Sequence, residues 1–222
     1  MIAVPEFNSE KLALDYVARH GSKRYLFPIK AGAKFPPCVK DNLNSGATNE
    51  PEQIRKLAKQ FPGCNWGVAL KKSNLFVADI DTNPKKGKVG RQTYDMLDLE
   101  YGWGDTETVD TPSGGFHLYY EGEHRFALGK YGLGPDIDSP NYVLIAGCTF
   151  DNGTSYKLRN PNTPTAPKPL WLDEVIKAAK KDRVENASEA AIELDKPSQI
   201  AWAIDYLKND AEASGRRNKE NS

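Results

Sequence analysis

The chain is poor in the residues that cross-link small proteins. Its 222 residues hold three cysteines, Cys38, Cys64 and Cys148, far apart and with no C-x-x-C pair. An odd, scattered set argues against a disulfide framework and against a structural zinc site, and leaves buried or incidental thiols. Histidine is as scarce: His20, His117 and His124, of which only His117 has a suggestive setting. No internal repeat is visible. No apolar run approaches the roughly 20 residues of a membrane helix. Met1-Ile-Ala-Val-Pro-Glu6 has no basic-then-apolar signal pattern. A cytoplasmic protein with no membrane partner is therefore expected. Excess charge is missing too, since Lys+Arg and Asp+Glu are 30 each. That does not suggest a histone-like binder, but it leaves room for a local basic groove.

What is present is ordinary globular material, 39% hydrophobic and 27% charged, enough for one large domain or one domain with an appendage. Helices are predicted over 9–20, with Asn8 or Ser9 as cap and Gly21 as stop, over 50–61, with Thr48 or Asn49 as cap, and over 89–101. Strands are predicted over 24–30, 65–70, 75–81, 106–111, 116–120, 142–146 and 155–158. Lys71-Lys-Ser-Asn74 reads as a tight turn joining 65–70 and 75–81 into a β-hairpin. Residues 121–138 read as glycine-rich loop. Four prolines make 160–169 a linker or a strap over the surface. An amphipathic helix is predicted over 170–183, a polar linker over 185–196, and a last helix over 197–213 before a polar tail. The class is α+β, with a mixed β-sheet core, flanking helices and a helical C-terminal segment. The division is 1–184 as the main domain, 185–196 as linker, and 197–222 as helix and tail, the possible start of a helical domain.

The chemistry centres on Leu75-Phe-Val-Ala-Asp-Ile-Asp81. On a strand, Asp79 and Asp81 point the same way, roughly 7 Å apart. Paired carboxylates repel unless a cation lies between them, and Mg²⁺ or Mn²⁺ suits hard oxygen ligands. Three further stretches supply partners. Thr111-Pro-Ser-Gly-Gly-Phe-His117 is a turn whose backbone N–H groups, with Ser113 and Gly114, suit phosphate, and His117 lies on the strand that follows. Gly134-Pro-Asp-Ile-Asp138 is a second D-x-D, in which Asp136 or Asp138 would complete a three-carboxylate cage. Pro28-Ile-Lys-Ala-Gly-Ala-Lys34 brings Lys30 and Lys34 in a Gly/Pro loop. Taken alone, each has a plain structural reading: a solvated acidic turn, a hairpin turn, a turn and surface lysines. Together they are the parts of metal-assisted phosphoryl transfer on a nucleotide.

In the order FPIKAGAKFP, NWGVAL, LFVADID, TPSGGFHLYY and GPDIDSPNYVLIAG, the chain resembles the bifunctional primase/polymerase (prim-pol) domains of phages and plasmids, in the archaeo-eukaryotic primase superfamily. The resemblance runs from about Leu14 to Leu158. It implies a DNA primase/polymerase, a nucleotidyltransferase that adds (d)NTPs to a single-stranded or primed DNA template, in the host cytoplasm if phage-encoded. It implies a two-metal site of Mg²⁺ or Mn²⁺ on Asp79, Asp81 and Asp136. It implies nucleotide binding by His117, Ser113, Gly114, Lys34 and Lys30, and a possible helicase region or partner. Many relatives carry a basic residue where Asp138 stands, which leaves Asp136 against Asp138 open. Lys71-Lys72 and Lys85, Lys86 and Lys88 are candidates to track the template. Two rival readings fit parts of the sequence. Ala78-Asp-Ile-Asp-Thr82 resembles the D-x-D-x-T signature of haloacid-dehalogenase-type phosphatases, with Asp79 as nucleophile. A non-catalytic replication-initiation DNA-binding module is the other.

Overall fold

The computed structural model describes residues 7–21, 23–123 and 134–178. The chain divides into two compact units, Met1–Glu174 and Val175–Ser222. Everything below concerns the first. Residues 170–178 are helical, the described part of the predicted helix 170–183. The predicted linker 185–196 and helix 197–213 lie outside the described residues.

Three helices flank the strands. In α1 (Ser9–Arg19), the Asn8 side chain accepts the Lys11 N–H at 2.8 Å, capping one of the free donors at the helix start. Its buried residues Ala13, Tyr16 and Val17 fall at i, i+3 and i+4. Helix α2 (Pro51–Gln60) buries Ile54, Leu57 and Ala58 with the same spacing. Its cap is Glu50, which makes no side-chain capping bond, and not Thr48 or Asn49. Thr48 is held one step too early, its backbone paired with Leu26 at 2.8 and 2.7 Å and its Oγ1 accepting the Glu50 N–H at 3.1 Å. Helix α3 covers Gly90–Tyr101.

The strands form two sheets. A three-stranded antiparallel sheet has the order β1-β2-β7, with β1 Leu26–Ile29, β2 Asn65–Ala69 and β7 Tyr142–Leu144. The larger sheet runs β6-β3-β5-β4-β8, with β3 Leu75–Ile80, β4 Thr108–Asp110, β5 Phe116–Glu121, β6 Ile137–Asp138 and β8 Lys157–Leu158. A ninth strand, β9 (Ala166–Pro167), adds to β5 in parallel, so the larger sheet is mixed and the α+β class holds. Strand β3 is flanked on both sides, and its run Leu75–Ala78 is wholly buried, as a central strand requires.

Two expectations change. Strands β2 and β3 do not pair as a hairpin; each enters a different sheet. The turn between them is tight, closed by Ser73 N–H to Ala69 C=O and Leu75 N–H to Leu70 C=O, yet the chain leaves it into a new sheet. The stretch 121–138 is not all loop, since Ile137–Asp138 forms β6 against β3. A single apolar cluster joins Phe27, Trp66 and Val68 of the small sheet to Leu75, Val77, Val109 and Tyr119 of the large one. That shared core sets the walls of a cleft in fixed relation.

Candidate active site

Asp79 lies at the C-terminal end of β3, with a partner on each side. Across β5 it is in register with His117, and across β6 with Asp138. Directly opposed residues of antiparallel strands share a face. Three chemistry-bearing side chains therefore form one row over three strands. His117 is buried, with its side chain 3% exposed, and its Nε2 stands 3.3 Å from Asp79 Oδ1. Its Nδ1 is buried with no hydrogen-bond partner among the described residues. Asp81 follows the strand and lines the same cavity as Asp79, as the alternation of faces predicts.

The acids differ in electrostatics. Burial pushes the Asp79 carboxyl up, but the hydrogen bond and charge of His117, with the Lys34 ammonium, outweigh it and hold the group below its ordinary value. Asp138 moves the other way. Burial raises it first, and the charge of Asp79 adds, with smaller pushes from Asp136 and Asp81. Asp138 is thus an acid facing other acids with too little positive charge nearby.

Asp136 is engaged differently. It has a positive φ of 62°, an unusual conformation for a residue other than glycine. Its Oδ1 accepts from Lys88 Nζ at 2.6 Å, and its Oδ2 from the Val89 N–H at 2.9 Å, beside the start of α3. Its carbonyl accepts the Asp81 N–H at 2.9 Å. The hydrogen bond from Lys88 is the main reason its carboxyl is held low. Gly90 completes the junction. A Cβ there would lie 2.4 Å from the Asp81 carbonyl oxygen and 2.6 Å from that of Asp136, so only glycine lets α3 approach. Both of Asp136's oxygens are thus committed to holding the segment in place.

The remaining predicted residues divide. The turn after β4 closes with Thr111 N–H to Gly115 C=O and Gly114 N–H to Thr111 C=O. The Gly114 N–H is spent inside the turn, and the Ser113 hydroxyl lies 3.1 Å from Thr111 Oγ1. Thr82 Oγ1 donates to the Gly114 carbonyl at 2.8 Å and ties the turn to the end of β3. Gly115 is required there, because a Cβ would meet the Ile80 carbonyl at 2.3 Å. Lys34 lines two cavities that meet at Asp79 and Tyr156, of about 470 and 280 Å³. The larger adds His117, Phe35, Tyr142 and Leu144; the smaller adds Asp81, Ser113 and Lys86. Lys30 lines neither. The Lys34 loop is anchored by buried Asn65, whose Nδ2 donates to Ala33 C=O at 3.1 Å and Thr149 C=O at 2.7 Å. Among the template candidates, Lys72 is engaged by the carbonyls of Asn44 and Ala47, and Lys88 by Asp136. Lys85 and Lys86 stay exposed beside the cleft.

Among the described residues, no three His, Cys, Asp or Glu side chains are gathered into a ready-made metal cage. The donor chemistry nevertheless fits a hard divalent cation. Asp79 and Asp81 offer oxygens to one cavity at the end of β3, and Asp138 stands in register with Asp79 on the next strand.

A family model for the N-terminal domain of bifunctional DNA primase/polymerases matches residues 13–171. The chain belongs to this Prim-Pol family. Membership carries a DNA primase/polymerase-type function in general, with nucleotidyl transfer, DNA and nucleotide substrates and metal dependence at the level of the family. No curated protein matches the chain. No helix among the described residues is long and apolar enough to cross a membrane.

Three features of this Prim-Pol chain were not visible in its motifs. Lys88 was grouped with a basic loop, but its ammonium lies between Asp136 and Asp81, 3.8 Å from the latter. Gly90 carried no signal beyond a helix start. Tyr156, which lines both cavities and has its ring tilted against His117 with centroids 5.6 Å apart, falls in a short predicted strand with no motif of its own.

Proposed function

We propose that this Prim-Pol chain catalyses metal-dependent, template-directed addition of nucleotides to a DNA strand. The observation that carries the reading is the row His117–Asp79–Asp138 across β5, β3 and β6, whose middle member Asp79 lines both cavities. Asp79, Asp81 and Asp138 would hold Mg²⁺ or Mn²⁺. Asp138 takes the place left open between it and Asp136, because Asp136 has both oxygens committed to Lys88 and Val89. Divalent cations bound there would lower the pKa of an attacking 3′-hydroxyl and offset charge on the leaving pyrophosphate.

The chain's own residues account for the rest. Lys34 and Ser113 line the same cavity as Asp79 and would bind the triphosphate there. His117 orients the Asp79 carboxylate and keeps it ionised. The apolar wall of Phe35, Tyr142 and Leu144 gives a nucleobase a dry surface. Lys85 and Lys86 are free to meet the template backbone, a contact that weakens steeply with salt. A phage or plasmid setting and a helicase partner belong to the same proposal. The phosphatase reading, with Asp79 as nucleophile, leaves His117 and Asp138 without a task.

The test is incorporation of a labelled dNTP on single-stranded DNA, with and without a primer, in Mg²⁺ or Mn²⁺. Metal-dependent extension that disappears in Asp79→Ala is the expected result. Extension by Asp79→Ala near the wild-type rate would sink the reading. A phosphoryl group trapped on Asp79 would move it to the phosphatase.

A further inference from the structure

A second cavity, about 660 Å³, lies at the other end of the larger sheet and has no part in the chemistry above. It is lined by the chain leaving α1, the turn before β3, the residue before β4 and the segment 161–165. Asn74 and Glu121 mark it as the far end, since Leu75 pairs with Glu121 while Asp79 pairs with His117. At its base lies Glu107, its side chain 2% exposed. Glu107 Oε1 accepts from Arg19 at 3.0 Å, and Oε2 from the Thr165 hydroxyl at 2.7 Å.

The basic side of this cavity is under-satisfied. The Arg24 side chain is 5% exposed. One of its terminal nitrogens donates to Thr165 Oγ1 at 2.8 Å and lies 3.9 Å from Glu107 Oε2. Its Nε is buried with no hydrogen-bond partner among the described residues. The neighbouring His20, 10% exposed, has Nε2 3.5 Å from Glu107 Oε1 and helps hold that carboxyl low. A buried guanidinium is always charged, and a donor it leaves unused costs free energy. Arg19, Lys23 and Arg24 face Glu107 and Glu121, so the lining carries one more permanent positive charge than negative. Glu107 has already accepted from Arg19 and Thr165, which leaves Arg24 and Lys23 the donors with capacity to spare.

We propose that this cavity binds a phosphate-class oxyanion, carried by a nucleic-acid strand or by a free nucleotide, through Arg24, Arg19 and Lys23. The oxygens of a phosphate supply an acceptor for the Arg24 donor left unused and charge partners for Arg19 and Lys23. The volume falls in the range of ligand sites. The site is separate from the Asp79 cleft, so it stands or falls without the nucleotidyl-transfer reading.

The chain's three histidines allow a direct test. In the full chain, at constant ionic strength and with a chelator present, the imidazole signals are followed by NMR and assigned with His20→Gln and His124→Gln. The probes are inorganic phosphate, a dNTP and a short oligothymidine with no terminal phosphate. The expected result is a saturable shift of the His20 signal while His117 stays still under inorganic phosphate. Arg19→Ala/Lys23→Ala, both at exposed positions, should weaken that shift about tenfold. Arg24→Gln should remove it. A response to oligothymidine at lower concentration than to phosphate assigns the ligand to a strand; a response to phosphate or dNTP without oligothymidine assigns it to a free nucleotide. A His20 signal that ignores all three probes, or moves equally in the double variant, overturns the proposal.

Discussion

Two acids sit near opposite ends of the larger sheet and are treated in opposite ways. Glu107 is buried and surrounded by Arg19, Arg24, His20 and Thr165, and although burial pushes its carboxyl up, those partners bring it below its ordinary value. Asp138 is exposed as a residue, but partial burial of its carboxyl, with the charges of Asp79, Asp136 and Asp81, pushes it up against the pull of Lys88. A carboxylate supplied with fixed partners holds a fold together. One left among its own kind stores repulsion that an incoming cation can relieve. The contrast separates an end of the sheet braced by fixed ion pairs from an end whose acids, under the proposed function, await a cation.

The largest expected effect breaks the contrast at the catalytic end. Asp79→Asn keeps the volume and removes the charge, and nucleotide incorporation should fall at least about 10³-fold. Its thermal midpoint should stay within a few degrees of wild type, so circular dichroism beside the extension assay separates the two. At the other end the pattern should invert. Glu107→Ala strands the buried Arg24 and should cost about 3–5 kcal/mol in urea unfolding, while the folded fraction keeps its rate of extension. A Glu107→Ala protein as stable as wild type would mean that the buried cluster is not structural.

Asp138→Asn sharpens the comparison with a smaller change. Without divalent ions the variant should melt a few degrees higher, because it removes a repelled charge. With Mn²⁺ it should lose most of the upward shift in melting temperature that wild type gains. Asp136→Asn, by contrast, should melt lower with or without metal, because it loosens Lys88 and the start of α3. If Asp136→Asn abolishes the Mn²⁺ shift and Asp138→Asn preserves it, the ligand assignment is reversed.

The mildest test is pH. Glu107 and Asp79 have lowered carboxyls, so their stabilisation is complete above the ordinary carboxylate range and is lost as pH falls through their depressed values. Asp138 is raised, so the folded state holds its proton more tightly than the unfolded one, and stability falls as pH rises through its window above about 4. Unfolding curves of wild type and Asp138→Asn should therefore diverge in that window, with wild type losing stability relative to the variant as pH rises.

Asp79, Asp81 and His117 were legible because a strand's period of two and a Ser-Gly-Gly turn leave marks in a few consecutive residues. The helices were legible from their i, i+3, i+4 spacing. The supposed hairpin was not, because a tight turn between two apolar runs reads the same whether the strands pair or part into different sheets. Nor could the partners of Asp79 be chosen from sequence. Setting Asp138 opposite Asp79 is a matter of register across a long separation, and Asp136 competes for the same role until its bonds to Lys88 and Val89 are seen. The Glu107 cluster draws on positions 19, 20, 24 and 165 and leaves no local trace at all.

The junction of Asp136, Lys88 and Gly90 bears on how such sequences are interpreted elsewhere. It secures the backbone of Asp81 and the first turn of a helix whatever the cleft is doing. A descendant that had abandoned nucleotide chemistry would still need Gly90 and Asp136 to fold, whereas Asp138 and Ser113 would be released to drift. The glycine-proline-aspartate signature is then first a folding mark, and it does not by itself report an active cleft.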